Sequence, residues 1–543
     1  MRPFFFGAAL LAGCPEPPAT DDSAAVEDSD DTSDTGCAPQ TWYLDGDGDG
    51  WGGAVTWAGC DQPDPTYVAQ GGDCDDADAR IHPEAQEIGG DGVDQDCDGE
   101  DPYALNLYEG ELFIGATDDL TLCEDGYDGV DGDLTLFFVD WTDLTALSCL
   151  AEVTGSFTLT GLQVQSLDGL QSLRHVGELH LRSAGALTTF AGLDNIERID
   201  DYLELSGVAE LQDIGALAGL QAPPGGLGLH FDSALDLVGD WWSQGDYPNG
   251  LRLYLYTDHI RAFSGLTRVL GEVTISTPAP AEVFGLESLE EVGGRLHLGY
   301  YGAAFPPLPA LRAVGGNLEF VGNYSDPTPL PTMAALEEVG GDLDLYQIDA
   351  DGLEAMPNLR SVGGTLRMDR VVDGRDLSGL QSLTSLGAVA VEYSELSGVA
   401  GLSGLTTLGF LSLQDAQVRD LSTMTSLVTL GDLDLDGCEA DTLGPLIGPP
   451  ALAQIDEDIR IYACWNITDV AGFDALTAVG GDLSILRSRD LAALSGFPVL
   501  GEVGGDLTIR DNGVLPEAEA WALVERVGEA NIGGSIDIRE NGG

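Results

Sequence analysis

Three clusters of aspartate define the chemistry open to this chain. In Asp45-Gly46-Asp47-Gly48-Asp49-Gly50-Trp51, carboxylates occupy loop positions 1, 3 and 5, glycine stands at 6, and Trp51 follows at 7. A tight loop of this kind turns several oxygens onto one calcium ion. The spacing returns in Asp94-Gln95-Asp96-Cys97-Asp98-Gly99. Between the two lies Asp73-Cys74-Asp75-Asp76-Ala77-Asp78, with Glu84 and Glu87 beyond it. Position 12 of the first loop is Thr56 and flanking helices are not evident, so no complete EF-hand is present and further ligands must come from another loop. Carboxylates this dense repel one another unless a cation sits among them. An oxygen-only donor set points to calcium over zinc or copper. The alternative is an acidic, solvated linker with no particular ion.

The run from Trp42 to Gly52, with Gly72-Asp73-Cys74-Asp75-Asp76 and Asp94 to Gly99, resembles the MopE-like metal-binding repeat of bacterial surface proteins. Its aspartate loops are also similar to thrombospondin type 3 calcium repeats. The chain departs from the MopE-like pattern in having Gly89 where that family usually has a cysteine, and in carrying Cys37 upstream. Cys37, Cys60, Cys74 and Cys97 therefore leave three connectivities open.

The rest of the chain is a repeat. Val503-Gly504-Gly505-Asp506-Leu507-Thr508-Ile509 has close variants at Val479 to Ile485, Val362 to Met368, Val339 to Leu345, Val314 to Phe320 and Val292 to Leu298. Marking each copy by its first apolar strand residue, from Leu112 and Leu134 through Leu483 and Leu507 to Ile536, gives 19 copies 22 to 26 residues apart, except for a last gap of 29. That last gap holds an amphipathic helix over 516–527, opened by a proline and glutamates. Leu-x-Leu alternation predicts a short strand with two residues facing in. The period-three spacing of Leu396, Val399, Leu402, Leu405 and Leu408 predicts tight 3₁₀-like or extended turns, not an α-helical face. One rung cannot bury its own leucines, so stacked rungs must share them. The expected fold is mainly β: a single-sided parallel β solenoid of about 19 leucine-rich rungs over 104–543, preceded by a small irregular calcium-loop module over 37–103. The stretches Leu377 to Val391 and Leu491 to Ile509 resemble the receptor L-domain branch of leucine-rich-repeat proteins, which implies a binding or structural role at a cell surface.

Asp and Glu number 93 against 21 basic residues, every one of them arginine, for a formal net charge of −72. Such a chain does not take nucleic acid as a general partner, is repelled by anionic membrane surfaces, and attracts cations. Met1-Arg2, a short apolar run and Leu11-Ala12-Gly13-Cys14 resemble the lipobox of bacterial lipoproteins. That resemblance implies a signal peptide at 1–13 and lipidation of Cys14, the lipid being the membrane anchor. Residues 14–36 read as an acidic, disordered tether. Pro15 after Cys14, where some lipoproteins carry an aspartate as an inner-membrane retention signal, favours the outer membrane or cell surface.

Cys438 and Cys464 hold the same position on neighbouring rungs and should form a disulfide; Cys123 and Cys149 flank the second strand and should pin the first rungs. On the outward face, the middle column includes His180, Arg252, His297, Arg367 and Arg460 and is less acidic than the chain as a whole. This column is the candidate ligand face for an extracellular protein or polysaccharide. Its alternative is a sheet that merely avoids stacking like charges. Asp432, Asp458, Asp482 and Asp506 stack in the next column. Trp241, Trp242, Tyr247, Tyr254, Tyr256, Tyr300, Tyr301 and Phe305 read as packing aromatics before a sugar platform. The six histidines show no ligand spacing, and no nucleophile elbow or phosphate loop is present, so the chain reads as a non-enzyme. The functional expectation is a lipid-anchored surface protein with a calcium module and a recognition solenoid; a calcium-bridged structural protein of the envelope is the first alternative, and a carbohydrate-active enzyme the second.

Overall fold

The computed structural model describes residues 39–85, 93–99 and 105–542, apart from internal stretches at 117–119, 139–140, 232–244, 256–258, 261–262, 264, 278–281, 284–285, 301–304, 306, 324–326, 374 and 439–441. The chain divides into two compact units, 1–104 and 105–543.

The first unit holds a three-stranded antiparallel sheet in which Gln40–Leu44 lies between Thr56–Gly59 and Tyr67–Val68. Beyond it the chain runs in turns, consistent with its glycine and aspartate content. The Cys74–Cys97 disulfide, with a Cα separation of 5.8 Å, ties two of the acidic segments together. Cys60 is also disulfide-bonded.

The second unit is a parallel β solenoid. Each strand anchor read from the sequence lies opposite the next, from Leu112↔Leu134 through Leu343↔Leu366 and Leu483↔Leu507 to Leu507↔Ile536. Inward residues such as Leu134, Leu136, Leu343, Leu483 and Ile485 are fully buried in one continuous core. A second column of short lead-in strands precedes the first, for example Glu291–Val292, Ala313–Val314 and Glu338–Val339. In Ser361–Asp369 and Thr429–Asp436 the two columns fuse into one bent strand. The ladder of anchors in the main sheet runs unbroken from Leu112 to Ile536 through the 19 expected copies, whereas the lead-in column is shorter. Among the described residues the lead-in strand is not formed at every anchor, for instance between Arg198–Ser206 and Arg268–Val269. The turns between strands include 3₁₀ segments such as Ala400–Leu402, as the period of three predicts. Single-sidedness needs amending, since further two-stranded parallel sheets form away from the main one, such as Gly444–Ile447 with Ile467–Ala471.

The repeated Val-Gly-Gly-Asp has a direct steric cause. The Asp482 carboxylate accepts the backbone N–H of Asp506, and Asp458 accepts that of Asp482 at 2.6 Å. A Cβ on Gly505 would lie 2.1 Å from Asp482 Oδ1, and one on Gly481 would lie 2.1 Å from Asp458 Oδ1. A Cβ on Gly504 would lie 2.0 Å from the Gly480 carbonyl oxygen. The first glycine therefore admits the neighbouring rung's backbone and the second admits its carboxylate. The rungs leave the strand through a left-handed residue four places past the anchor: Phe138, Ser183, Gln347, Arg370, Tyr393, Asp415, Ala463, Arg487 and Asp511 all have positive φ.

The helix Glu517–Val527 sits in the long last interval and buries Ala520, Leu523, Val524 and Val527; Gly528 ends it at φ +84°. It is the α-helix of the described residues. Cys438–Cys464 and Cys123–Cys149 are both bonded, at Cα separations of 4.5 and 5.5 Å.

Candidate metal centre and the outward sheet face

The Asp45 loop is shaped by its own carboxylates. Asp45 Oδ1 accepts the N–H of Gly48 at 2.7 Å and Oδ2 that of Gly50 at 3.1 Å, while Asp49 Oδ1 accepts that of Trp51 at 2.7 Å. Gly48 and Gly50 take φ of +90° and +100°, which the turn requires and other residues resist. Asp45, Asp47 and Asp49 each place one carboxylate oxygen within 4.8 Å of the others.

The expected second source of ligands is the segment beginning at Asp73. Asp76 Oδ1 accepts the N–H of Gly46 at 2.9 Å, and a Cβ on Gly53 would lie 2.9 Å from Asp76 Cβ, so glycines at 46 and 53 let this segment close on the loop. Asp47 Oδ2, Asp49 Oδ2 and Asp73 Oδ2 are shielded from solvent and accept no hydrogen bond. Burial, then the neighbouring Asp49, Asp45 and Asp76 charges, hold the Asp47 carboxyl above its ordinary range. Burial, followed by the charges of Asp49, Asp47 and Asp76, does the same for Asp73 against a hydrogen bond from the Asp75 N–H. Three shielded, donorless anionic oxygens on carboxylates that feel one another's charge are a strongly unfavourable arrangement without a cation. The residues thus fit a hard, oxygen-bound metal ion.

The remaining predicted ligands fall elsewhere. Asp94, Asp96 and Asp98 gather their own oxygens within 4.8 Å, with Asp94 accepting the N–H groups of Asp98 and Gly99. Asp75 donates its N–H to Asp73, and its side chain is exposed. Asp78 is taken by Arg80, whose Nε donates to it at 2.8 Å, and that hydrogen bond holds its carboxyl low. Glu84 is exposed, and Glu87 lies outside the described residues, as do Cys14 and Cys37. The Trp51 ring stacks on His82, with centroids 6.4 Å apart, a contact that spacing alone did not reveal.

On the solenoid, the five predicted face residues stand in one column, and each meets a carboxylate. His180 lies between Glu204 and Glu178, both at 2.9 Å, and Arg182 also reaches Glu204. Hydrogen bonding from His180, opposed by burial and reinforced by Arg182, pulls the Glu204 carboxyl down to about 2. Arg252 pairs with Glu272 at 2.7 Å, His297 with Glu319 at 2.9 Å, and Arg367 with Asp344 at 3.1 Å and with Asp342. Arg460 pairs with Asp434 at 2.7 Å and Asp436 at 2.9 Å. Glu204, Glu319, Asp344 and Asp434 stand in the same column on the neighbouring rung, while Glu178, Asp342, Glu272 and Asp436 reach in from beside it. Of the aromatics, Tyr247 and Phe305 are buried, as packing requires; Trp241, Trp242, Tyr256 and Tyr301 lie outside the described residues.

Residues 73–101 match the family model named Cu-binding MopE and described as a putative metal-binding motif. A solved structure of a leucine-rich-repeat protein from Leptospira interrogans is 14% identical to this chain, covering 78% of it and 99% of the other chain with a TM-score of 0.33. No curated protein matches the chain.

Proposed function

We propose that this is a lipid-anchored surface protein of the receptor L-domain type, whose N-terminal module binds calcium and whose solenoid recognises an extracellular protein or glycan. The observation that carries the metal reading is the set of three shielded, donorless oxygens of Asp47, Asp49 and Asp73. Although the matching family model bears copper in its name, calcium is favoured because the donors are carboxylates and Cys74 and Cys97 are consumed in a disulfide. The anchor rests on the resemblance of Leu11 to Cys14 to a lipobox, with 1–13 as signal, 14–36 as tether, 37–103 as metal module and 104–543 as solenoid. The disulfides support a location outside the cytoplasm, at the outer membrane or cell surface. No catalytic role is assigned.

Calorimetric titration of the full chain tests the metal reading. Calcium should bind, Asp49→Asn should weaken it severely, and a flat calcium trace beside a strong copper response would overturn it. The face residues' mutual pairing favours one second reading: a structural envelope protein, bridged by calcium, without a specific ligand. Binding to purified envelope polysaccharide that is lost on Arg367→Gln would exclude that second reading.

A further inference from the structure

We infer that the exit edge of the strands Ile459–Tyr462, Leu483–Leu486 and Leu507–Arg510 binds a carboxylate-bearing sugar through Arg487 and Arg510, beside Tyr462 and Trp465. The inference rests on the solenoid being a recognition surface, and names a ligand chemistry for it.

Its first support is a local charge imbalance. In a chain with 93 acids against 21 arginines, most guanidinium groups find a carboxylate at short range, as Arg460 does at 2.7 Å. Arg487 makes no ion pair among the described residues; its Nη1 donates to the Tyr462 hydroxyl at 2.6 Å. Arg510 comes no nearer to a carboxylate than 3.8 Å to Asp537 and 4.0 Å to Asp511, beyond hydrogen-bond length, and its Nε is buried without a partner. Arg487, without an ion pair, and Arg510, only loosely paired, therefore stand on adjoining rungs, where the Arg487 N–H donates to the Arg510 carbonyl at 3.2 Å.

The second support is the aromatic surface beside them. Tyr462 lies between two guanidinium groups, Arg460 at 4.6 Å and Arg487 at 5.4 Å from its ring centroid. Trp465, 45% exposed, has Arg489 5.9 Å from its ring. Ser484 and Thr508, register partners next along from Arg460, are small. Guanidinium takes a carboxylate in bidentate fashion, and an aromatic face takes the apolar face of a pyranose. Asp482 and Asp506 lie two positions before Ser484 and Thr508, just ahead of those strands, and together with the net charge of −72 they oppose a ligand with many carboxylates. A single acidic sugar on an otherwise neutral glycan avoids that repulsion, whereas an acidic peptide meets it at every residue.

The test uses the full chain and a neutral oligosaccharide ending in one glucuronic acid, with its methyl ester and a hexaglutamate peptide as comparisons. The acid form should bind, the ester should not, and Arg487→Gln and Trp465→Ala should each weaken binding at least tenfold at unchanged melting temperature. Absence of binding by the acid form, equal binding of the ester, undiminished binding by Arg487→Gln, or tighter binding of the peptide would each overturn the inference. Binding to envelope polysaccharide that survives Arg487→Gln but fails on Arg367→Gln would overturn this site alone and leave the recognition reading standing.

Discussion

Asp482 reaches across one rung of the solenoid to accept the backbone N–H of Asp506 at 2.7 Å. Asp342 does the same for Thr365, also at 2.7 Å, and Asn317 for Asp342 at 3.0 Å. The stacked aspartates that look repulsive in the sequence thus satisfy corner amides that no strand partner reaches. Their second oxygens keep the surface acidic.

The corner is sterically closed to any side chain larger than hydrogen. Gly505→Ala should destabilise the solenoid by roughly 1–3 kcal/mol in urea unfolding, because its Cβ would fall 2.1 Å from Asp482 Oδ1. Asp482→Ala should cost about 1–3 kcal/mol by orphaning the Asp506 amide, while Asp482→Asn, which keeps the acceptor as Asn317 does, should be close to neutral. An alanine at 505 without effect would show that the corner can relax.

The exit corner makes the opposite prediction. Ser183 holds φ +53° and Gln347 +54°, where Gly161, Gly207 and Gly437 serve other rungs. Ser183→Gly or Gln347→Gly should therefore raise stability, or leave it unchanged, by up to about 1 kcal/mol, relief of the left-handed backbone offsetting the greater freedom of the unfolded chain. A clear loss of stability in both variants would contradict it.

Glu204 and His180 give the sheet face a pH window. Glu204 is depressed from 4.5 to about 2, so its stabilisation is complete above pH 4.5 and fades as pH falls toward 2. Burial pushes His180 down, but its hydrogen bonds to Glu204 and Glu178 outweigh that and leave it raised above 6.5. Its contribution is complete below 6.5 and is lost as pH rises through the raised value. The stability gap between wild type and Glu204→Gln should be widest between pH 4.5 and 6.5, on the order of 2–3 kcal/mol, and should narrow on both sides. A gap independent of pH would mean the cluster contributes by packing alone.

Protonation should compete with metal. Because Asp47 and Asp73 are raised, calcium affinity should fall as pH drops through their titration. Asp73→Asn should weaken calcium binding as Asp49→Asn does. Asp78→Asn should not, since Arg80 already holds that carboxylate. Equal losses in all three variants, read by calorimetry at pH 7.5 and 5, would argue for diffuse charge in place of a defined centre.

Much of this was legible in the sequence where one residue type has one physical use. Leu-x-Leu alternation gives strands; paired glycines mark close approach; Cys438 and Cys464 share a rung position and so can bond. The exit corner was not legible, because Phe138, Ser183, Tyr393 and Arg487 share a backbone conformation and no side-chain chemistry. The face residues misled for a different reason. His180 and Arg367 look available when the column is read only for its overall charge, but Glu204 and Asp344, opposite them on the neighbouring rung, and Glu178 and Asp342 beside them claim both. At the metal centre, the Asp45 loop declared its need for more oxygens, yet only the fold brings Asp73 and Asp76 to it.

The strand ladder of each rung is shared only with the rung before and the rung after, through the same corner contacts. Excising 480–503 would join Val479 directly to Gly504 and restore an uninterrupted Val-Gly-Gly-Asp. Length in this architecture is consequently a quantity that can be lost or gained in whole periods by duplication or deletion of DNA, with each new junction chemically indistinguishable from the old.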